Sequence, residues 1–336
     1  MKQVAWVAVM VLCVSCSRRQ EEPPKVIVST TETERLTLLA AYEENLMEDL
    51  LRAFLADRPG VEVKTIRAAA GKLMDQILKP GGAEPADVVI GLPQENLETL
   101  ARRGALGASA PSACADIPAE YRDPGGTWVG LTISALAFGV NERLLEQKQL
   151  PAPHRWEDLT RPQYRGWVVI GRPQESRATR LALRGVLSLM HPRGWDYWKR
   201  LDRNLFAYTN KPWLTARHVG SGEALIAVDL DRYLLREKRE GKRVRLFYPK
   251  PTFYLVEGMA LLKGAPQAKT AEAFLSWACG LRAMRLLESS RTGVTRPFVE
   301  PSEPWKARLT QVKFHTPVQP LSSQQILAEW ERRYGK

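Results

Sequence analysis

The segment AVDLDRYLL, residues 227–235, contains residue types that can bind a metal ion or an anion. Asp229 and Asp231 alternate with apolar residues, and Arg232 and Tyr233 follow directly. Carboxylate and phenol oxygens suit a metal ion, whereas an arginine suits an anion. The segment therefore predicts either a metal site or an anion site. A third interpretation makes Asp231 the N-cap of the next helix, pairs Asp229 with an arginine and leaves Arg232 solvated in the first turn.

The elements that would position this segment follow an alternating order of strands and helices. Strand patterns occur at 35–42, 61–68 and 86–92, and apolar residues at helical spacing occupy 44–60. Strand–helix–strand order predicts a parallel sheet with right-handed crossovers. Ligands of such α/β sheets bind beyond the carboxyl ends of the strands. We therefore expect the site in the loops that follow the strands.

Two long extended runs, 131–141 and 253–264, flank a middle α/β block. This arrangement predicts two lobes that are joined by two crossover strands and separated by a ligand-binding cleft. The predicted boundaries are 35–133 with 259–336 for lobe 1, and 134–258 for lobe 2.

The composition of the 336-residue chain favours a globular protein, with 44% hydrophobic residues and a net charge of +12. Such a charge suits nucleic acid, an anionic membrane or anionic ligands. The basic residues are spread along the chain without a basic arm, which argues against a nucleic-acid partner. The sequence has no His-x-x-His, Gly-x-Ser-x-Gly or Walker pattern. It therefore predicts neither an enzyme nor a resident cofactor.

The N-terminal residues MKQVAWVAVMVLCVSC have the character of an export signal. The apolar run is shorter than the roughly 20 residues that span a bilayer. Ser15 followed by Cys16 resembles a bacterial lipobox, so we expect a signal peptide at 1–15, a lipidated Cys16 and a tether at 16–34. The protein would then be lipid-anchored in the periplasm or at the cell surface. A simple signal peptide or an uncleaved anchor remains the alternative.

Of the four cysteines, Cys114 and Cys279 remain once Cys13 leaves with the signal peptide and Cys16 is lipidated. An exported protein meets an oxidising compartment in which disulfides form. Sequence spacing leaves two possibilities open, a disulfide or two buried thiols.

Several segments between about 35 and 300 resemble bacterial extracellular solute-binding proteins of ABC transporters, in the group of ferric-ion, thiamine, phosphonate and sugar-phosphate binders. The segments that carry the resemblance include AAYEENLMEDLLRAF, PADVVIG, IPAEYRDPGGTWVGL, WEDLTRPQYRGWVVIGRPQESRATRLAL and EGMALLKGAPQAKTAEAFLSWACG. The resemblance implies an α/β, two-lobed type II periplasmic-binding-protein fold. It also implies capture of a small molecule or ion, delivery to an ABC permease and a monomer.

The resemblance also implies that ligand contacts come from the loops at the strand ends. In this chain those positions are Tyr42, Glu43, Ala70, Gly71, Ser176, Arg177, Thr179, Trp213, Asp229, Arg232 and Tyr233. The loops at Gly71 and Arg177 each open a helix, whose free N–H groups bind anions. Ser176 is equally a candidate N-cap, and Trp213 either stacks on a ligand or packs at the surface.

Ferric-ion binders of this group carry two adjacent tyrosines at the position of Arg232–Tyr233. A fixed positive charge at Arg232 would repel a ferric ion at contact distance. We therefore expect a small anionic solute: a phosphonate, a phosphate ester or a carboxylate. The in-class alternative is ferric iron as a transported ligand, held by Glu43, Asp229 and Tyr233. An alternative of another class is a sensor or scaffold that binds a partner protein.

Overall fold

The computed structural model describes residues 33–79, 85–109, 111–291, 293–302, 314–315 and 323–335. The predicted signal peptide and Cys16 lie outside these residues, as does all of the predicted tether except its last two positions. Every helix and strand belongs to the unit Glu34–Lys336. Across the described ranges, none of the helices combines the length and apolar character needed to cross a bilayer.

The strands and helices alternate in the order that the sequence predicts. The strands are β1 (Glu34–Ala40), β2 (Val61–Arg67), β3 (Val88–Pro93), β4 (Trp128–Asn141), β5 (Val168–Gly171), β6 (Leu205–Thr209), β7 (Ile226–Leu230), β8 (Val244–Phe247), β9 (Thr252–Leu261), β10 (Gly293–Val294) and β11 (Phe314–His315). The helices are α1 (Glu44–Asp57), α2 (Ala70–Leu78), α3 (Gln94–Arg102), α4 (Glu142–Gln147), α5 (Arg177–Leu189), α6 (Gly194–Asp202), α7 (Pro212–Ser221), α8 (Asp231–Arg239), α9 (Ala268–Ala278), α10 (Leu281–Ser290) and α11 (Ser323–Tyr334).

The strands pair in the order β2-β1-β3-β9-β4-β7-β5-β6. The pairs β1–β2, β1–β3, β5–β6 and β5–β7 are parallel, whereas β9 and β4 run antiparallel to their neighbours in this order. Strands β3 and β5 are buried at every residue, as parallel strands covered on both faces must be. The sheet is therefore mixed, with a parallel group on either side of a central antiparallel pair.

The central pair, β4 and β9, runs through both halves of the fold. Residues 128–135 of β4 pair with β9, and residues 136–141 pair with β7 and β8. Strand β9 pairs with β3 at its C-terminal end, while Phe253 near its start packs in the core around β5 and β7. These are the two predicted crossover strands, and the predicted α/β two-lobed fold is confirmed. The exact lobe boundaries stay a prediction.

Separate hydrophobic cores support the two halves. One core contains Leu38, Phe54, Val88 and Phe274, and another contains Phe138, Trp156, Ile170 and Val228. Helix α11 packs in the second core through Ile326 and Trp330. The sequence placed 259–336 with lobe 1, and that assignment stays a prediction.

Cys114 and Cys279 form a disulfide inside the first core, with a Cα–Cα distance of 5.1 Å. The bond joins the turn after α3 to the end of α9, which are 165 residues apart in the chain. Of the two possibilities that the sequence left open, the structure therefore contains the disulfide.

Candidate functional site

Four strands, β1, β2, β5 and β7, end at a shared cleft between the two halves. Tyr42 and Glu43 follow β1, and Ala70 and Gly71 follow β2. Ser176 and Arg177 follow β5, and the segment from Asp229 closes β7 and opens α8. Because a parallel strand delivers its following loop to the carboxyl edge, the sequence positions both sets of loops on facing edges.

A cavity of about 290 Å³, here called the inner cavity, lies where the two sets of loops meet. Its walls include seven of the predicted site residues: Ala70, Gly71, Ser176, Arg177, Asp229, Arg232 and Tyr233. The cavity is therefore lined by residues from both predicted lobes. This arrangement is typical of a cleft that encloses a small ligand.

Three helices begin at the wall of the inner cavity. They are α2, which starts at Ala70, α5, which starts at Arg177, and α8, which starts at Asp231. The first N–H groups of a helix have no partner within that helix, and the helix dipole adds partial positive charge there. Ser176 Oγ accepts a hydrogen bond from the Thr179 N–H at 3.2 Å, which confirms that Ser176 caps α5. Helices α2 and α8 lack a side-chain cap, so their first N–H groups remain available to an anion.

Glu257 of β9 lies beneath the cavity as the centre of a charged cluster. Arg232 Nη1 donates to both Glu257 carboxylate oxygens, at 2.8 and 2.9 Å, and Arg177 Nη1 donates to one of them at 3.0 Å. Arg291 approaches the second oxygen at 3.5 Å. Burial acts to raise the pKa of Glu257, but the three arginines outweigh it and lower the pKa. Glu257 is therefore an ionised carboxylate that orients the arginines.

Glu43 joins the same cluster from the end of β1. Its carboxylate accepts a 2.6 Å hydrogen bond from Arg291 and lies 3.6 Å from Arg232 Nε. Partial burial acts to raise the pKa of Glu43, but the charges of Arg291 and Arg232 lower it to about 2. The cluster thus holds three guanidinium groups and two carboxylates. It keeps an excess of positive charge next to the inner cavity.

Asp229 differs from these carboxylates because it has no ion pair among the described residues. Its Oδ1 accepts a hydrogen bond from the Leu230 N–H at 2.8 Å, and its Oδ2 has no hydrogen-bond partner in the described part of the chain. Burial raises the pKa of Asp229 to about 8, although that hydrogen bond and the charge of Arg232 act in the other direction. At neutral pH Asp229 is therefore a neutral acid whose O–H can donate to a ligand.

Asp231 and Tyr233 are the remaining predicted metal ligands or anion contacts of the segment 227–235. The N-cap of α8 is Leu230, so the interpretation of Asp231 as the cap is wrong. Asp231 accepts a hydrogen bond from the Tyr248 hydroxyl at 3.2 Å instead. The guanidinium of Arg232 lies 4.9 Å from the centre of the Tyr233 ring, and its Nη2 donates to the Tyr233 hydroxyl at 3.3 Å. Tyr233 therefore holds Arg232 in place.

Four predicted residues lie outside the inner cavity. Tyr42 is buried, with its hydroxyl 3.2 Å from Thr132 Oγ1 and its ring 5.1 Å from the Arg291 guanidinium. Thr179 is buried against Ser176. Trp213 is about one-third exposed at the start of α7, where Lys211 and Arg217 flank its ring. Glu43 lines a different cavity of about 760 Å³, here called the third cavity.

The iron ligand set Glu43, Asp229 and Tyr233 is not gathered around one cavity. Glu43 lines the third cavity and Asp229 lines the inner cavity, whereas Tyr233 and Arg232 line both. Over the described ranges, no three His, Cys, Asp or Glu side chains are grouped as metal ligands. Arg232 places a positive charge beside both cavities and directly against the Tyr233 ring, which disfavours a ferric ion there.

Sequence reasoning missed Glu257 and Arg291. Glu257 carries a detectable signal, since it is the one charge in the apolar run FYLVEGMALL and a buried charge needs partners. Arg291 follows α10 in a polar stretch and has no such signal, because its contacts with Glu43 and Glu257 come from distant parts of the chain.

The sequence of this chain is similar to those of known proteins. The sequence profile of bacterial extracellular solute-binding proteins matches residues 83–316. A probable ABC transporter periplasmic-binding protein of Sinorhizobium fredii is 30% identical over 236 residues, which is 66% of this chain and 63% of that protein.

Two solved structures extend the comparison to the fold. The periplasmic binding protein AfuA of Actinobacillus pleuropneumoniae, with fructose-6-phosphate bound, superimposes with a TM-score of 0.77 at 22% identity, covering 90% of this chain and 98% of AfuA. Iron-bound HitA of Pseudomonas aeruginosa superimposes with a TM-score of 0.73 at 21% identity, covering 90% of this chain and all of HitA. The chain therefore belongs to the bacterial extracellular solute-binding protein family, which confirms the prediction of a solute-binding protein of an ABC importer.

Proposed function

We propose that this protein captures a small organic anion in the inner cavity and delivers it to an ABC permease. The observation that carries the proposal is the convergence on one cavity of three helix N-termini, Arg177, Arg232 and Asp229, whose Oδ2 has no hydrogen-bond partner among the described residues. N–H groups and guanidinium groups bind phosphonate, phosphate ester or carboxylate oxygens. A protonated Asp229 adds an O–H donor without adding negative charge.

The charges around the cavity favour an anion over ferric iron. A bare ferric ion would meet Arg232 and Arg177, and the nearest acidic residues of the cluster already neutralise arginines. Burial raises the pKa of Tyr42, which keeps its phenol protonated rather than ready to bind a metal. HitA carries iron on the same fold, so iron remains the alternative that an experiment must test.

AfuA shows that this fold can hold a sugar phosphate. The choice of solute for this chain rests on the residues of the inner cavity. We propose that the protein releases its solute unchanged, with no catalytic role. This agrees with the solute-binding transport proteins to which it is related.

We further propose that Cys16 carries a lipid and that the protein acts as a monomer tethered to a membrane. The small residue before Cys16 and the polar stretch after it support this proposal. Labelling cells with a radioactive fatty acid would test it, because Cys16→Ser should abolish the label. A labelled Cys16→Ser protein would contradict it.

Thermal unfolding of the purified protein against a ligand panel tests the proposed solute class. The panel contains phosphonates, sugar phosphates, carboxylates, thiamine and ferric citrate. A ligand at 100 times its dissociation constant adds about 2.7 kcal/mol to the free energy of unfolding. We expect a clear rise in Tm with at least one organic anion, which Arg232→Gln abolishes relative to its own ligand-free Tm.

Arg143→Gln is the matched control, because Arg143 is an exposed arginine on α4 that lines none of the cleft cavities. It should leave the ligand-induced rise unchanged. A rise with ferric iron alone, accompanied by a phenolate–iron colour that Tyr233→Phe removes, would overturn the anion proposal.

A further inference from the structure

Helix α5 carries a row of arginines along the cleft. Arg177, Arg180 and Arg184 are separated by three and four residues, the spacing that places side chains on one helix face. With a rise of about 1.5 Å per residue, the row extends roughly 10 Å along the helix. Only its first two members reach the inner cavity. The row therefore continues beyond the proposed anion site.

A second compartment, here called the outer cavity, adjoins the inner one and has a volume of about 460 Å³. The two cavities share Arg177, Arg180, Glu95 and Asn96 in their walls. All three arginines of the row line the outer cavity, together with Arg102 of α3. Its wall also contains four apolar side chains, which are Met74, Leu181, Leu255 and Leu327. The cleft thus continues from a small polar compartment into a larger one with both apolar and basic walls.

The arginines of this row differ in the partners that they already have. Arg177 pairs with Glu257 at 3.0 Å, and Arg184 pairs with Glu95 across the cleft at 3.1 Å. Arg180 Nη1 instead donates to the backbone carbonyls of Pro173 and Gln174, at 2.9 and 3.0 Å. No carboxylate lies within ion-pair distance of Arg180 among the described residues. Arg180 is therefore a cation that lines both cavities without a neutralising partner.

Burial of the Arg180 guanidinium disfavours its charged form, so an anion beside it would be stabilising. Burial lowers the pKa of Arg180, and the adjacent positive charge of Arg177 lowers it further, while Glu95 and Glu175 only partly compensate. A second negative group beside Arg180 would relieve both effects. The charge-assisted hydrogen bonds that it would form are among the stronger contacts in proteins.

We propose that the solute carries two anionic groups: one bound in the inner cavity by Arg232, Arg177 and the helix N-termini, the other bound by Arg180 at the boundary with the outer cavity. This inference rests on the proposed function and names the substrate class of the same site. Arg177 and Arg180 are separated by roughly 5 Å along α5, which sets the approximate distance between the two anionic groups. A short carbon chain bridges that distance and suits the apolar wall. The class is thus a phosphono- or phospho-carboxylate, or a dicarboxylate of similar length.

Calorimetric titration with matched ligands tests this inference. One ligand is 4-phosphonobutyrate, and its match is butylphosphonate, which has a similar chain but lacks the second anionic group. We expect 4-phosphonobutyrate to bind about tenfold to a hundredfold more tightly than butylphosphonate, as one added charge-assisted contact allows. Arg180→Gln should lower this ratio to nearly one, Arg180→Lys should retain most of it, and Arg143→Gln should leave it unchanged.

The possible outcomes separate this inference from the proposed function. Equal binding of the two ligands by the unaltered protein would overturn the second anion site and leave the single-anion proposal standing. Absence of binding by both ligands and by the rest of the anion panel would overturn both. A ratio that survives Arg180→Gln would overturn the assignment to Arg180. Should that variant fail to fold, the ligand pair with the unaltered protein still decides whether the second anion site exists, and Arg180→Met, which also removes the charge, tests the assignment to Arg180.

Discussion

Replacing Asp229 by asparagine should stabilise the protein at alkaline pH and have little effect in acid. Asparagine keeps the shape of the side chain and an oxygen that accepts from the Leu230 N–H. It removes the ionisable group whose pKa burial raises from 3.8 to about 8. The difference in the free energy of unfolding between Asp229→Asn and the unaltered protein therefore reports the cost of ionising Asp229 in the folded state.

The direction in which the free energy of unfolding changes with pH follows from proton binding in the folded and unfolded states. Below about pH 4 the carboxyl is protonated in the folded and the unfolded chain, so it does not change stability with pH. Between about pH 4 and pH 8 the unfolded chain releases the proton while the folded chain retains it. The free energy of unfolding therefore falls by up to 1.36 kcal/mol per pH unit. Above about pH 8 the loss of stability reaches its limit, which is about 6 kcal/mol.

Thermal unfolding followed by circular dichroism between pH 4 and pH 9 measures this effect. At roughly 2 °C per kcal/mol for a chain of this size, Asp229→Asn should raise the Tm at pH 9 by on the order of 10 °C. Asp75→Asn is the matched control, because Asp75 is exposed on α2, and its Tm difference from the unaltered protein should not vary in this way. A Tm difference for Asp229→Asn that stays constant with pH, or a lower Tm at pH 9, would refute the reasoning.

Three further predictions concern the charged cluster, the disulfide and the crossover strands. Glu257→Gln leaves the surrounding arginines without their shared carboxylate, so it should lower the free energy of unfolding in urea by about 3–5 kcal/mol; a loss below about 1 kcal/mol would contradict the cluster's role. Replacing Cys114 and Cys279 by serine should cost up to about 5 kcal/mol, from the 165-residue loop that the bond closes; an unchanged urea midpoint would count against it. A Cβ at Gly258 would lie 2.2 Å from a backbone carbonyl of β4, so Gly258→Ala should lower the Tm by several degrees, whereas Gly293→Ala, with open space around its Cβ, should not.

Much of the fold was predictable from apolar periodicity. Strands β1, β2 and β3 and helix α1 lie within a few residues of their predicted bounds, because each contributes regularly spaced apolar residues to a hydrophobic core. Helix α7 and strand β6 were missed. Strand β6 is an edge strand with residues such as Phe206 exposed, and α7 begins at a proline, so neither has a clear pattern. The packing of α11 against the second core has no sequence signal, since amphipathicity shows that a helix packs but not against which core.

The candidate site was predictable where it follows strand ends and unpredictable where it depends on long-range contacts. Arg177 and Arg232 lie on the cavity because their loops follow β5 and β7. The role of Arg232 depends on Glu257, 25 residues later, and that of Glu43 on Arg291, 248 residues later. Trp213 follows its strand in the same way, but β6 lies at the sheet edge, which leaves this side chain outside the inner cavity. Position relative to a strand therefore locates a loop, while charge pairing decides what the loop binds.

A crystal structure of the protein with the organic anion that gives the largest rise in Tm would test the central claim most directly. We predict that its anionic group lies in the inner cavity, within hydrogen-bond distance of Arg232, the first N–H groups of α2 and α8, and the Asp229 carboxyl. An anion bound outside the inner cavity, with Arg232 still directed only to Glu43, Glu257 and Tyr233, would contradict the account.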